Sequence, residues 1–117
     1  MGFSDSKKSM WGEWISEEGG AYYKVYTYAD GALRAKIRMG HAPEQISMKA
    51  RFDGRRLTFE QFLDGGDTVN HTKCKTVLEH HPEDPERMIC TLRPEDSQEP
   101  VTIELKRTGI ITDRILD

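Results

Sequence analysis

From Met10 onward, apolar and polar residues alternate with a period of two. The alternation runs through eight segments, 10–16, 20–28, 32–39, 46–52, 56–63, 69–79, 87–93 and 101–107. A two-residue period puts one set of side chains on each face of a strand, so each segment reads as a strand with one apolar face. Between the strands stand Glu17-Glu18-Gly19-Gly20, Ala29-Asp30-Gly31, Asp53-Gly54-Arg55 and Asp64-Gly65-Gly66-Asp67. Glycine supplies the positive φ that tight hairpins require, so consecutive strands are expected to pair antiparallel. Only 40–45 leaves room for a short helical turn, while 80–86 and 94–100 read as Pro- and acid-rich solvated loops.

One row of residues keeps the inward phase along the chain: Leu33, Ala35, Ile37 and Met39, then Ile46, Met48, Ala50 and Phe52. Leu57, Phe59, Gln61 and Leu63 continue it, followed by Thr72, Cys74, Thr76 and Leu78, by Met88, Cys90 and Leu92, and by Val101, Ile103 and Leu105. In the second strand Tyr22, Tyr26 and Tyr28 share a face with Lys24, and Tyr23, Val25 and Thr27 form the other, so both phases stay open. A sheet this continuous hides its apolar face by curling. The expected fold is all-β, a single antiparallel up-and-down β-barrel of about eight strands, with a two-sheet sandwich as the alternative. Residues 1–9 read as a flexible N-terminal segment, 10–108 as the barrel and 109–117 as a C-terminal tail.

The 117 residues suffice for one hydrophobic core without disulfides or metals. With 17 basic and 20 acidic side chains the net charge is -3, which gives no electrostatic case for nucleic acid. No apolar run approaches the roughly 18 residues of a membrane span, so a soluble chain is expected. Met1-Gly2-Phe3-Ser4-Asp5-Ser6 fits an N-myristoylation pattern, and Met1-Gly2 reads equally as a cloning scar in place of a removed signal peptide. Cytoplasmic and secreted locations therefore both stay open.

Gly12-Glu13-Trp14 sets a Gly-x-Trp motif on the first strand, and this resembles the calycin superfamily of lipocalins, fatty-acid-binding proteins and avidins. The similarity is greatest to compact bacterial lipocalin-like barrels. It implies that Trp14 closes one end of the barrel and that Arg107, at the end of the last strand, packs across the indole. It also implies a binding role without naming a ligand.

Gln61, Thr72 and Thr76 fall in the inward register, where an apolar core normally excludes them. A few polar groups converging in an apolar cavity make a typical small-molecule site, and Met39, Met48, Met88, Leu105 and Tyr23 are expected to line it. Cys74 and Cys90 share the inward face and lie equidistant from Pro82, so a symmetric hairpin would set them nearly opposite each other as packed thiols or a disulfide. His80 and His81 read as loop residues, His41 and His71 as polar surface residues. No catalytic residue, metal site or cofactor motif is assigned. The expected function is binding of a small, largely apolar ligand inside the barrel. One alternative is a protein interaction module with a solid core; another is a barrel-type isomerase or cyclase. Phe62 on the outer face hints at a homodimer.

Overall fold

The structure is a computed structural model that describes residues 7–63 and 72–109. Nine strands are present among these residues: β1 (Gly12–Ser16), β2 (Ala21–Thr27), β3 (Leu33–Met39), β4 (Gln45–Ile46), β5 (Met48–Phe52), β6 (Arg56–Phe62), β7 (Lys73–His81), β8 (Asp84–Pro94) and β9 (Val101–Gly109). All neighbours are antiparallel, and they form one sheet in the order β4-β3-β2-β1-β9-β8-β7-β6-β5. This is a nearly closed up-and-down barrel, with the first and last strands paired. It is one sheet, not the two of the sandwich alternative. No helix among the described residues is long and apolar enough to cross a membrane.

The extra strand arises because the segment read as one strand over 46–52 is two. β4 pairs with β3, whereas β5 pairs with β6, so the chain changes partner at Ser47 and forms the seam of the barrel. Ser47 is buried and holds β3 through both its groups: its amide donates to the Ala35 carbonyl at 2.9 Å, and its Oγ accepts from the Ala35 amide at 3.0 Å. The expected inward position of Ile46 is therefore corrected. Ile46 is 45% exposed and Ser47 takes the interior, because the partner change reverses the phase. The phase is restored by an irregularity between Met48 and Arg51 that includes Lys49 in a left-handed conformation, φ 52°.

The gap at the seam is bridged by a side chain. Gln45 Nε2 donates to the Phe62 carbonyl at 2.7 Å and Gln45 Oε1 accepts from the Phe62 amide at 2.8 Å, so one amide side chain supplies both bonds of a missing strand residue.

Two further expectations change. Met10 ends a helical turn over residues 7–10 and does not begin the first strand, and its side chain is 1% exposed. Cys74 stands opposite Pro94, and Cys90 opposite Leu78, so the cysteines are not facing partners. The turn is centred near Pro82 as the sequence suggests, but residues 85–87 of β8 stand opposite no residue of β7, and this bulge shifts the whole ladder. Four residues of strand rise separate the two positions, about 13 Å, beyond disulfide reach. Both cysteines are buried and free. The start of the sixth expected strand, at Val69, together with His71, the N-myristoylation pattern and most of the C-terminal tail, lies outside the described residues.

The second strand resolves its phase: Tyr23 and Val25 join the core cluster, while Tyr22 and Tyr28 are half-buried and Tyr26 is fully buried outside that cluster. The Arg38 guanidinium sits 4.5 Å from the Tyr22 ring centre and that of Arg34 4.6 Å from Tyr28, while Tyr26 stacks on Tyr28 at 4.9 Å. Basic residues of β3 thus cover the outer aromatic faces.

Candidate functional site

An up-and-down barrel has two ends, and the chain builds them differently. One is framed by the β2–β3, β5–β6 and β7–β8 hairpins, and here β1 starts and β9 finishes. Trp14 is fully buried, and its Nε1 donates to the Met10 carbonyl at 3.0 Å. Arg107, opposite Trp14 in the ladder, places its guanidinium 4.5 Å from the indole centre. The same guanidinium donates to the carbonyls of Trp11 at 3.0 Å and Ser9 at 3.1 Å, and it lies 3.4 Å from a Glu86 carboxylate oxygen. Met10 and Trp11 are thereby drawn under the barrel as a plug. Trp11 Nε1 completes the arrangement with a 2.7 Å bond to Thr27 Oγ1.

His80 belongs to this plug and not to a solvated loop. Its ring meets Trp14 edge-on at 5.9 Å, and its Nε2 is 3.1 Å from Ser9 Oγ. The inward parity of Thr72, Cys74, Thr76 and Leu78 continues to position 80, a signal outweighed by the prolines that follow. Burial lowers the pKa of His80, and the Arg107 guanidinium lowers it further. The ring therefore stays neutral where an unfolded histidine takes up a proton. As pH falls below 6.5, the usual value, the unfolded chain binds a proton that the folded one resists, so stability falls. His80→Gln is expected to flatten this loss between about pH 6.5 and the lowered folded value. Urea midpoints measured across that range check it; unchanged slopes for the variant would contradict it.

Toward the opposite end lies a buried polar cluster. Tyr23, Gln61, Thr76, Cys74 and Cys90 all lie in the part of their strands away from the plug, and Gln61 and Thr76 are fully buried. The Tyr23 hydroxyl and Thr76 Oγ1 each donate to Gln61 Oε1 at 2.9 Å. Cys90 Sγ lies 3.6 Å from the Tyr23 hydroxyl, and Met39 Sδ 3.8 Å from it. Gln61 Nε2 is buried with no hydrogen-bond partner among the described residues. Leaving such a group unpaired costs about 1–3 kcal/mol.

Of the residues expected to line a site, the structure brings Tyr23, Gln61 and Thr76 into direct contact. Met88 and Leu105 are fully buried in the surrounding core. Met48 is half-buried beside the seam, outside the core cluster, and Thr72 is half-buried before β7, its carbonyl accepting from the Leu63 amide at 3.0 Å. Met39 joins the cluster as expected of a lining residue, and Cys90 joins it without having been expected there. Cys90 carries the inward parity, but sulfur in a core pattern reads as packing. Phe62 is half-buried, its backbone held by Gln45.

Burial pushes the Tyr23 hydroxyl well above its ordinary pKa, and pushes the Cys90 thiol up to about 12. Both hold their protons at neutral pH. The cluster thus offers protonated hydrogen-bonding groups and no thiolate at neutral pH. No family model, curated protein or solved structure matches this chain.

Proposed function

We propose that the protein binds a small, largely apolar molecule within a calycin-like barrel, and that the Gln61 amide anchors the single polar group of that molecule. The observation that carries this reading is the partnerless Gln61 Nε2 in an otherwise apolar interior. Tyr23 and Thr76 hold the amide oxygen, which leaves the NH2 group to donate to a ligand carbonyl or ether oxygen. The plug at the Trp14 end favours entry from the opposite end, where the cluster lies. Cationic cover over Tyr22 and Tyr28 weighs against an apolar tyrosine interface.

N-phenyl-1-naphthylamine, a neutral environment-sensitive fluorophore, tests the reading by displacement. A long-chain methyl ketone is expected to displace it about tenfold more effectively than the alkane of equal length, the equivalent of one hydrogen bond. Gln61→Leu should erase that preference while retaining a folded circular dichroism spectrum. Absence of saturable fluorophore binding to the native protein would overturn the proposal, as would a ketone preference that survives the substitution.

A further inference from the structure

The outer face of β5–β8 carries a feature that interior binding does not use. Across the ladder Glu60 stands opposite Lys75, and Lys75 opposite Arg93. Like charges directly opposite on neighbouring strands destabilise a sheet. The central carboxylate is already shared, since Glu60 Oε1 is 3.8 Å from both Lys49 Nζ and Lys73 Nζ. Lys75 and Arg93 make no ion pair within 4.0 Å among the described residues.

Two concavities meet at Lys75. One, of about 480 Å3, has Lys49, Arg51 and Lys75 among its lining residues, with half-buried Ala50 at the β5–β6 irregularity and buried Phe59 beneath. The other, of about 320 Å3, is lined by Glu60, Lys73, Lys75, Arg93 and Glu95. Lys49, left-handed at φ 52° within the β5–β6 irregularity, sets a cation, 76% exposed, at the rim of the larger concavity.

We propose that this face binds a small molecule carrying two or more phosphate groups, held by Lys75 and Arg93 with Lys49 and Lys73 on either side. Only a multiply charged anion relieves the repulsion between Lys75 and Arg93 while reaching the flanking ammonium groups. A guanidinium adds a fork of donors matched to phosphate oxygens. The volumes are those of small-molecule sites. The net charge of -3 and the short extent of the patch disfavour a long nucleic acid strand.

Inorganic triphosphate, titrated into isotopically labelled protein at low ionic strength, tests this by the shifts of backbone amide resonances. Saturable one-to-one binding is expected, with shifts concentrated at Lys49, Lys75 and Arg93, and orthophosphate at least tenfold weaker. The double variant Lys75→Gln/Arg93→Gln should weaken triphosphate at least tenfold, and Glu60→Gln should strengthen it by removing the carboxylate shared by Lys49 and Lys73. A control with equal charge change elsewhere, Lys24→Gln/Lys106→Gln, should keep wild-type affinity. Equal losses in the control and the double variant, or shifts that never saturate, would overturn the site. Sedimentation with phosphatidylcholine vesicles containing a phosphatidylinositol bisphosphate identifies the source. Co-sedimentation lost in the double variant supports the site with a lipid headgroup as ligand, and triphosphate binding without co-sedimentation supports it with a free ligand. Neutral fluorophore binding should be unaffected by either double variant, which keeps this outcome separate from the fate of the interior site.

Discussion

Trp14→Ala is expected to lower folding stability by about 3–5 kcal/mol, the range for deleting a large, fully buried aromatic side chain. The loss has two parts. Removing the indole leaves a void among Met10, His80 and the core, which close packing fills only partly. It also strips the Arg107 guanidinium of the ring face it covers at 4.5 Å, although its bonds to the Ser9 and Trp11 carbonyls remain. Trp14→Phe should fall between, since a smaller ring still offers a face but lacks the Nε1 bond to Met10. Urea titration gives the difference directly. A loss below about 1 kcal/mol would mean that the plug, and not the tryptophan, holds this end closed.

Gln45→Leu is expected to cost about 2–3 kcal/mol, a larger effect than its place on a two-residue strand suggests. Leucine fills similar space but cannot bond to the amide and carbonyl of Phe62, both of which Gln45 now satisfies. The loss should be local before it is global. Hydrogen exchange at the Phe62 amide is therefore expected to accelerate more than exchange along the β8–β9 ladder. Equal acceleration everywhere, or a stability change under about 0.5 kcal/mol with Phe62 still protected, would show that the seam does not depend on this side chain.

Where alternation was clean, the sequence was sufficient. The strands expected over 32–39 and 56–63 carry one apolar face, and they form as Leu33–Met39 and Arg56–Phe62, each within one residue of its expected bounds. Gln61 and Thr76 were visible because a polar side chain in an inward register is conspicuous. Other features left no such trace. The perfect alternation from Ile46 to Phe52 conceals a change of partner, because pattern reports which face a residue takes and not which strand it joins. The Cys74 and Cys90 registration failed for a related reason: a bulge at 85–87 costs three residues of register while leaving both cysteines on the inward face. Tyr22 to Tyr28 offered aromatics on both faces, and only the basic residues of β3 decided between them.

The pairing of β1 with β9 also governs how the molecule is assembled. Seven of the eight neighbouring strand pairs in the sheet join strands consecutive in sequence, so their contacts form over short stretches of chain. The remaining pair is bound into contacts such as that between Arg107 and Trp11, 96 positions apart, and it cannot form until nearly the whole chain has been brought together. Loop-closure entropy is paid before that contact returns anything. The hairpins can therefore gather early, while the rate of reaching the native state is set by the meeting of the chain's two ends. The Trp14 and Arg107 contact belongs to this rate-setting step, so weakening it should slow folding and not only speed unfolding.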